Sequence, residues 1–141
     1  MDALDLSDLP EHALLLLDSA PIIYFLEGHP KFGPRFKPVF EAHSVGGVRF
    51  ATTTLTVAEI LTGPLQAGDG ALARRYRTIL ESSQMVELNI QIVERAARLR
   101  GSLRLKLADA LQVASALAIN ATAIVTHDRD FSRIRSLRVI S

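Results

Sequence analysis

The chain of 141 residues has no cysteine and no tryptophan, and aromatic residues make up only 6% of it. Without a thiol there is no disulfide scaffold, no thiolate zinc or iron–sulfur site and no cysteine nucleophile, and the composition suits a reducing cytoplasm. Long apolar runs are also missing: stretches such as Ala13–Leu17 are far too short to cross a bilayer. Early positive charge is missing too, since Lys31 is the first lysine and Asp2, Asp5, Asp8 and Glu11 precede it, the reverse of a secretory leader. These absences predict a soluble, uncleaved, cytoplasmic protein without membrane contact. Its chemistry must rest on oxygen and nitrogen groups.

What is present fits one globular domain spanning residues 1–141, with 48% hydrophobic and 22% charged residues. The net charge of +1 hides an asymmetry: residues 1–70 hold 4 basic and 9 acidic side chains, residues 71–141 hold 12 basic and 6 acidic ones. Solvated helix faces account for such a basic half, and so does a surface for a nucleic-acid backbone.

Apolar runs of strand length alternate with stretches of helical period. Ala13–Leu17, Val48–Thr52, Met85–Leu88, Ala121–Val125 and Leu137–Ile140 read as strands. Pro21–Leu26, Leu55–Leu61, Ala71–Ser82, Ile90–Leu103, Leu107–Ile119 and the short Phe131–Ile134 read as helices. Gly28–Gly47, with Pro30, Pro34 and Pro38, reads as a loop carrying a short helix. Alternation of this kind predicts an α/β sandwich, a mainly parallel central sheet covered by helices on both faces. Ligands of such sheets bind beyond the carboxyl ends of the strands, where strand order reverses.

Five carboxylates fall at positions suited to that crevice. Asp18 ends the first strand, where it either faces the crevice or caps the helix that Pro21 opens. Glu59 follows the second strand in a turn expected to be largely covered; Thr56-x-x-Glu59 also matches a capping box. Asp109 opens a helix that is apolar nearly all round, so it needs protonation, a metal or a cation, for which Arg104 and Lys106 are near in sequence. Asp128 and Asp130 follow the fourth strand, at positions that would equally cap a short helix. His127 beside them lacks the spacing of a histidine metal site and reads as structural.

If these acids meet, mutual repulsion raises their pKa values unless a cation bridges them, and an all-oxygen set suits Mg²⁺ or Mn²⁺. Phosphodiester hydrolysis is the chemistry that uses such a cluster: the ion activates water and neutralises developing charge, and a spare carboxylate orients the water.

At these residues the chain resembles PIN-domain ribonucleases, and within them the VapC-type toxins of bacterial toxin–antitoxin pairs. Leu14-Leu-Leu-Leu-Asp18-Ser19, Thr52-Thr53-Thr54-Leu-Thr56-Val-Ala58-Glu59, Leu107-Ala-Asp109-Ala-Leu-Gln-Val-Ala114-Ser-Ala116 and Val125-Thr126-His127-Asp128-Arg129-Asp130-Phe131 carry the resemblance in order. It covers Leu14 to Ile140; residues 1–12 precede the usual start as an N-terminal extension. The resemblance implies a PIN-like three-layer sandwich and Mg²⁺- or Mn²⁺-dependent endonucleolytic cleavage of structured RNA. Asp18, Glu59, Asp109, Asp128 and Asp130 would be catalytic, with Asp18, Asp109 and the Asp128/Asp130 pair on the metal. A homodimer and a cognate antitoxin are the implied partners. Arg104, Lys106, Arg129 and Arg133 are the basic residues placed to meet RNA phosphates. A PIN nuclease working without an antitoxin and a non-enzymatic nucleic-acid-binding module stay open as alternatives. A phosphoacceptor receiver domain would show an acceptor Asp after the middle strand and a Lys after the last, and neither is evident.

Overall fold

In the computed structural model, which describes residues 2–141, strand β1 (Ala13–Leu17) lies at the centre of a sheet and all of its residues are buried. Its side chains alternate between two cores: Leu14 and Leu16 enter one, Ala13, Leu15 and Leu17 the other. A strand covered on both faces has no polar side to present, which is why the run is continuously apolar.

The other strands are β2 (Val48–Thr53), β3 (Gln84–Val86), β4 (Ala123–Val125) and β5 (Arg138–Ile140), in the order β3-β2-β1-β4-β5. Every pairing is parallel, with Leu15 opposite both Phe50 and Ala123. The expected strand at Met85–Leu88 begins one residue earlier and ends at Val86, and the expected start at Ala121 moves to Ala123.

Among the described residues six α-helices cover the sheet: α1 (Ser19–Glu27), α2 (Gly33–Ser44), α3 (Thr54–Gln66), α4 (Gly70–Glu81), α5 (Ile90–Leu103) and α6 (Leu107–Ala118). A 3₁₀ turn occupies Arg129–Arg133. Ile92 and Ala96 of α5 pack with Val113 and Ala114 of α6 on one face; Ile22, Phe36, Val39, Ile60 and Leu80 from α1–α4 fill the other. The architecture is the expected α/β sandwich.

Gly28–Gly47 differs from expectation, because most of it is the 12-residue helix α2. Pro34 lies in the first turn, where its missing N–H is not needed, while Pro38 lies inside the helix and forfeits a bond. Phe36 and Val39 are fully buried beneath it, and at about 1.5–3 kcal/mol each their burial offsets that loss. Residues before β1 are docked as well: Leu4, Leu6 and Leu9 pack on the α1–α4 core, and the Arg138 guanidinium donates to Asp8 at 2.8 Å.

Candidate acidic site

The chain moves outward from β1 to β2 and β3, then returns to lay β4 on the other side of β1, so strand order reverses between β1 and β4. Asp18 and Asp128 leave the carboxyl ends of these two strands, and the Asp18 backbone N–H donates to Val125 O at 2.9 Å. Parallel pairing therefore opens a crevice between them, as the sheet geometry requires.

Asp18 is both a cap and a cleft residue. It N-caps α1, where Oδ1 accepts from the Ser19 N–H at 2.9 Å. Oδ1 also accepts from Gln112 Nε2 at 3.2 Å and Oδ2 from Thr126 Oγ1 at 2.8 Å. Three donors fix the carboxylate's orientation.

Glu59 forms no capping box. Thr53, not Thr56, is the N-cap of α3, accepting from the Thr56 N–H at 3.1 Å, so the helix begins earlier than the local sequence suggests. Nor is this turn covered all round: Thr56 and Ile60 are buried, but Glu59 is exposed and accepts from Ser19 Oγ at 2.7 Å.

Asp109 lies in the first turn of α6 and is only 8% exposed, and its Oδ2 is buried without a hydrogen-bond partner. Burial, then the Asp128 and Asp18 carboxylates, push its pKa up to about 6, against the opposing pull of Lys106. Neither Arg104 nor Lys106 makes a salt bridge with it among the described residues. The neutralising ion pair that sequence proximity allows is not formed.

Asp128 caps the 3₁₀ turn by accepting from the Asp130 N–H at 2.9 Å, and Asp130 pairs with Arg133 at 3.5 Å. Asp109, Asp128 and Asp130 each bring one carboxylate oxygen within 4.8 Å of the others. Asp18 and Glu59 stand outside that trio but line the same cleft of about 710 Å³, together with Asp109, Asp128, His127 and Arg129.

His127 sits at the rim with an anchoring role. Its Nδ1 lies 2.8 Å from Tyr24 Oη, and its ring meets Phe32 edge-on at 4.6 Å. Burial and the Arg35 and Arg129 cations lower its pKa, which favours the neutral imidazole.

The basic residues divide into two kinds. Arg104, Lys106 and Arg129 are exposed and form no salt bridge among the described residues. Arg133 is engaged with Asp130 and donates to the Leu103 and Arg104 carbonyls at 3.4 and 3.3 Å, which ties the 3₁₀ turn to the end of α5.

Three convergent carboxylates, one holding a desolvated oxygen that no group among the described residues satisfies, are a poor arrangement for a metal-free protein and a suitable one for a hard divalent cation. Sequence reasoning passed over Gln112 and Tyr24; for Gln112 the available signal was an amide on an otherwise apolar helix stripe, one turn after Asp109.

A parallel α/β sandwich with an acidic crevice at its switch point is the class that fold and site define, and comparison identifies the family. The PIN domain profile matches residues 15–137, and the chain belongs to the PIN domain family. Among solved structures it is similar to a toxin–antitoxin complex from Klebsiella pneumoniae, at 24% identity and a TM-score of 0.73, covering 90% of this chain and 96% of that one. It is also similar to VapBC-1 from nontypeable Haemophilus influenzae (23% identity, TM-score 0.69, 89% and 96% covered). A third is VapBC2 from Rickettsia felis bound to a DNA fragment from its promoter (19% identity, TM-score 0.70, 89% and 96% covered). At these identities the likeness is one of fold. A search of curated proteins finds no match.

Proposed function

We propose that this chain is a divalent-metal-dependent endoribonuclease and the toxin of a toxin–antitoxin pair. The observation that carries the reading is the orphaned Asp109 Oδ2, buried among carboxylates within 4.8 Å of one another. Asp109, Asp128 and Asp130 would hold Mg²⁺ or Mn²⁺ together with Asp18, which lines the same cleft. When bound, the ion neutralises the carboxylates and lowers the pKa of water at a phosphodiester.

The chain's own groups supply the rest. Glu59 is exposed to the cleft and held by Ser19 Oγ, which suits it to orient the attacking water and accept its proton. Asp18 keeps a fixed orientation through its three donors. Arg104, Lys106 and Arg129 offer uncommitted charge to RNA phosphates, while Arg133 braces Asp130. The toxin reading draws support from the fold neighbours, which are named as toxin–antitoxin complexes; a cognate antitoxin and a second copy of the chain are the partners it calls for. Residues 1–141 then act as one domain, the N-terminal segment docked on its core.

Cleavage of end-labelled total RNA and tRNA, with Mn²⁺, with EDTA and with Asp18→Asn, tests the enzyme. Discrete fragments that need Mn²⁺ and vanish in the variant are expected. Equal cleavage with EDTA or by the variant refutes the proposal, and failure of a co-expressed neighbouring reading frame to bind and inhibit the protein refutes the toxin assignment.

A further inference from the structure

The geometry points to Gln112 as a positioning residue for the acidic site: one buried amide sets the orientation of Asp18 and, through Thr53 and Thr56, the start of the helix that carries Glu59. This rests on the proposed metal site and extends it to a residue outside the carboxylate set.

Gln112 is 1% exposed, at the heart of α6, where its neighbours Val113, Ala114 and Ala116 are apolar. Packing alone asks for leucine or methionine there, since a buried amide is costly unless its polar atoms are bonded. Those atoms are bonded on both sides. Nε2 donates to Asp18 Oδ1 at 3.2 Å and to Thr56 Oγ1 at 2.7 Å, and Oε1 accepts from Thr53 Oγ1 at 2.8 Å.

The polarity of this arrangement is forced by its members. An ionised carboxylate can only accept, so the NH₂ end of the amide faces Asp18 and the carbonyl end faces Thr53. The Thr53 hydroxyl must then spend its proton on Oε1. Its lone pair is left to accept from the Thr56 N–H at 3.1 Å, which is the N-cap of α3. Reversing the amide would set a carbonyl against a carboxylate. The same side chain therefore ties together three elements: the end of β1, the start of α3 and α6, on which Asp109 lies one turn before it. With the Ser19 N–H and Thr126 Oγ1, the amide occupies three of the roughly four acceptor positions of the Asp18 carboxylate. Asp18 is left with a single direction in which to accept a further ligand.

The test is Mn²⁺ binding to Gln112→Met, which keeps the volume and removes donor and acceptor. Binding is read by loss of the free-ion electron paramagnetic resonance signal and by the Mn²⁺-induced rise in Tm, and is compared with affinity for a fluorescein-labelled RNA hairpin in EDTA. Half-saturation is expected to require roughly 10–100-fold more Mn²⁺, as for other groups that orient metal ligands, while metal-free RNA affinity stays within about twofold. A variant that loses Tm in EDTA but half-saturates at the wild-type Mn²⁺ concentration has lost packing only, and overturns the inference. If Gln112→Met does not fold, Thr53→Val serves: it leaves the Asp18 donor in place but frees Oε1, and a several-fold rise in half-saturating Mn²⁺ is expected. Unchanged binding in a folded Thr53→Val overturns the inference equally. No Mn²⁺ binding by the wild-type chain brings down the metal site itself, a failure distinct from that of Gln112 alone.

Discussion

Asp109 is the residue at which the structure makes its strongest thermodynamic statement. With its pKa raised from 3.8 to about 6, the ionised form is destabilised in the folded protein by about 3 kcal/mol. The cleft is open to solvent on one side, which screens the repulsion and reduces the expected penalty to about 1–3 kcal/mol. The sign follows from proton counting: between the two pKa values the native state binds more protons than the unfolded state, so metal-free stability is full below about pH 4 and is lost as pH rises through about 6. Asp109→Asn removes the titration and the charge. In EDTA at neutral pH it is expected to raise Tm by roughly 3–9 °C, taking about 3 °C per kcal/mol for a domain of this size. That advantage shrinks to nothing near pH 4, and the variant loses the Mn²⁺-induced Tm rise that wild type shows. Differential scanning fluorimetry across about pH 4 to 8, with Mn²⁺ and with EDTA, measures all three effects. Parallel Tm curves for wild type and variant across that range would refute the argument that this carboxylate is held in repulsion.

Four other outcomes are expected. Glu59→Gln, outside the carboxylate trio, leaves the Mn²⁺-induced Tm shift at its wild-type size while RNA cleavage falls by about 10²–10⁴-fold; loss of the Tm shift would move Glu59 onto the metal. Arg104 ends α5 in the left-handed region at φ 55°, so Arg104→Gly gains about 0.5–1 kcal/mol in chemical denaturation. Combined with Lys106→Ala, it lowers the slope of log affinity for single-stranded RNA against log salt by about 1.4, and an unchanged slope would take both residues off the RNA path. Phe36→Ala, which empties a 1% exposed site under α2, costs about 3–5 kcal/mol in urea unfolding; a loss under about 1 kcal/mol would mean that α2 contributes little to the core.

Much of the fold was legible because it is written in short-range pattern. The all-apolar run at Leu14–Leu17 announces a strand covered on both faces, and the apolar repeat through Leu107–Ala118 announces a buried helix; both stand where expected. The family assignment to residues 15–137 matches the stretch that carries the resemblance. The full length of helix α2 was not legible, because Pro38 argues against helix locally and only the burial of Phe36 and Val39 against α1 and the sheet overrules it. The capping box at Thr56 and Glu59 failed for a related reason. Thr53 offers the same chemistry three residues earlier, and its bond to Gln112 commits it to that role.

By itself the sequence determined the alternation of strands and helices, the absence of cysteine chemistry and, among the described residues, of a helix able to cross a membrane, and the presence of carboxylates at strand ends, since periodicity, composition and chain position are local properties. Tertiary structure decided which carboxylates meet. Asp18 and Gln112, 94 residues apart, touch only because β1 and β4 pair across the reversal of strand order with α6 laid over them. Desolvation of Asp109 Oδ2, the diversion of Arg133 to Asp130 and the exposure of Glu59 all depend on neighbours that the folded chain brings from other elements. Charge repulsion and burial act through space over a few ångströms, and linear spacing fixes no such distance until the sheet has formed.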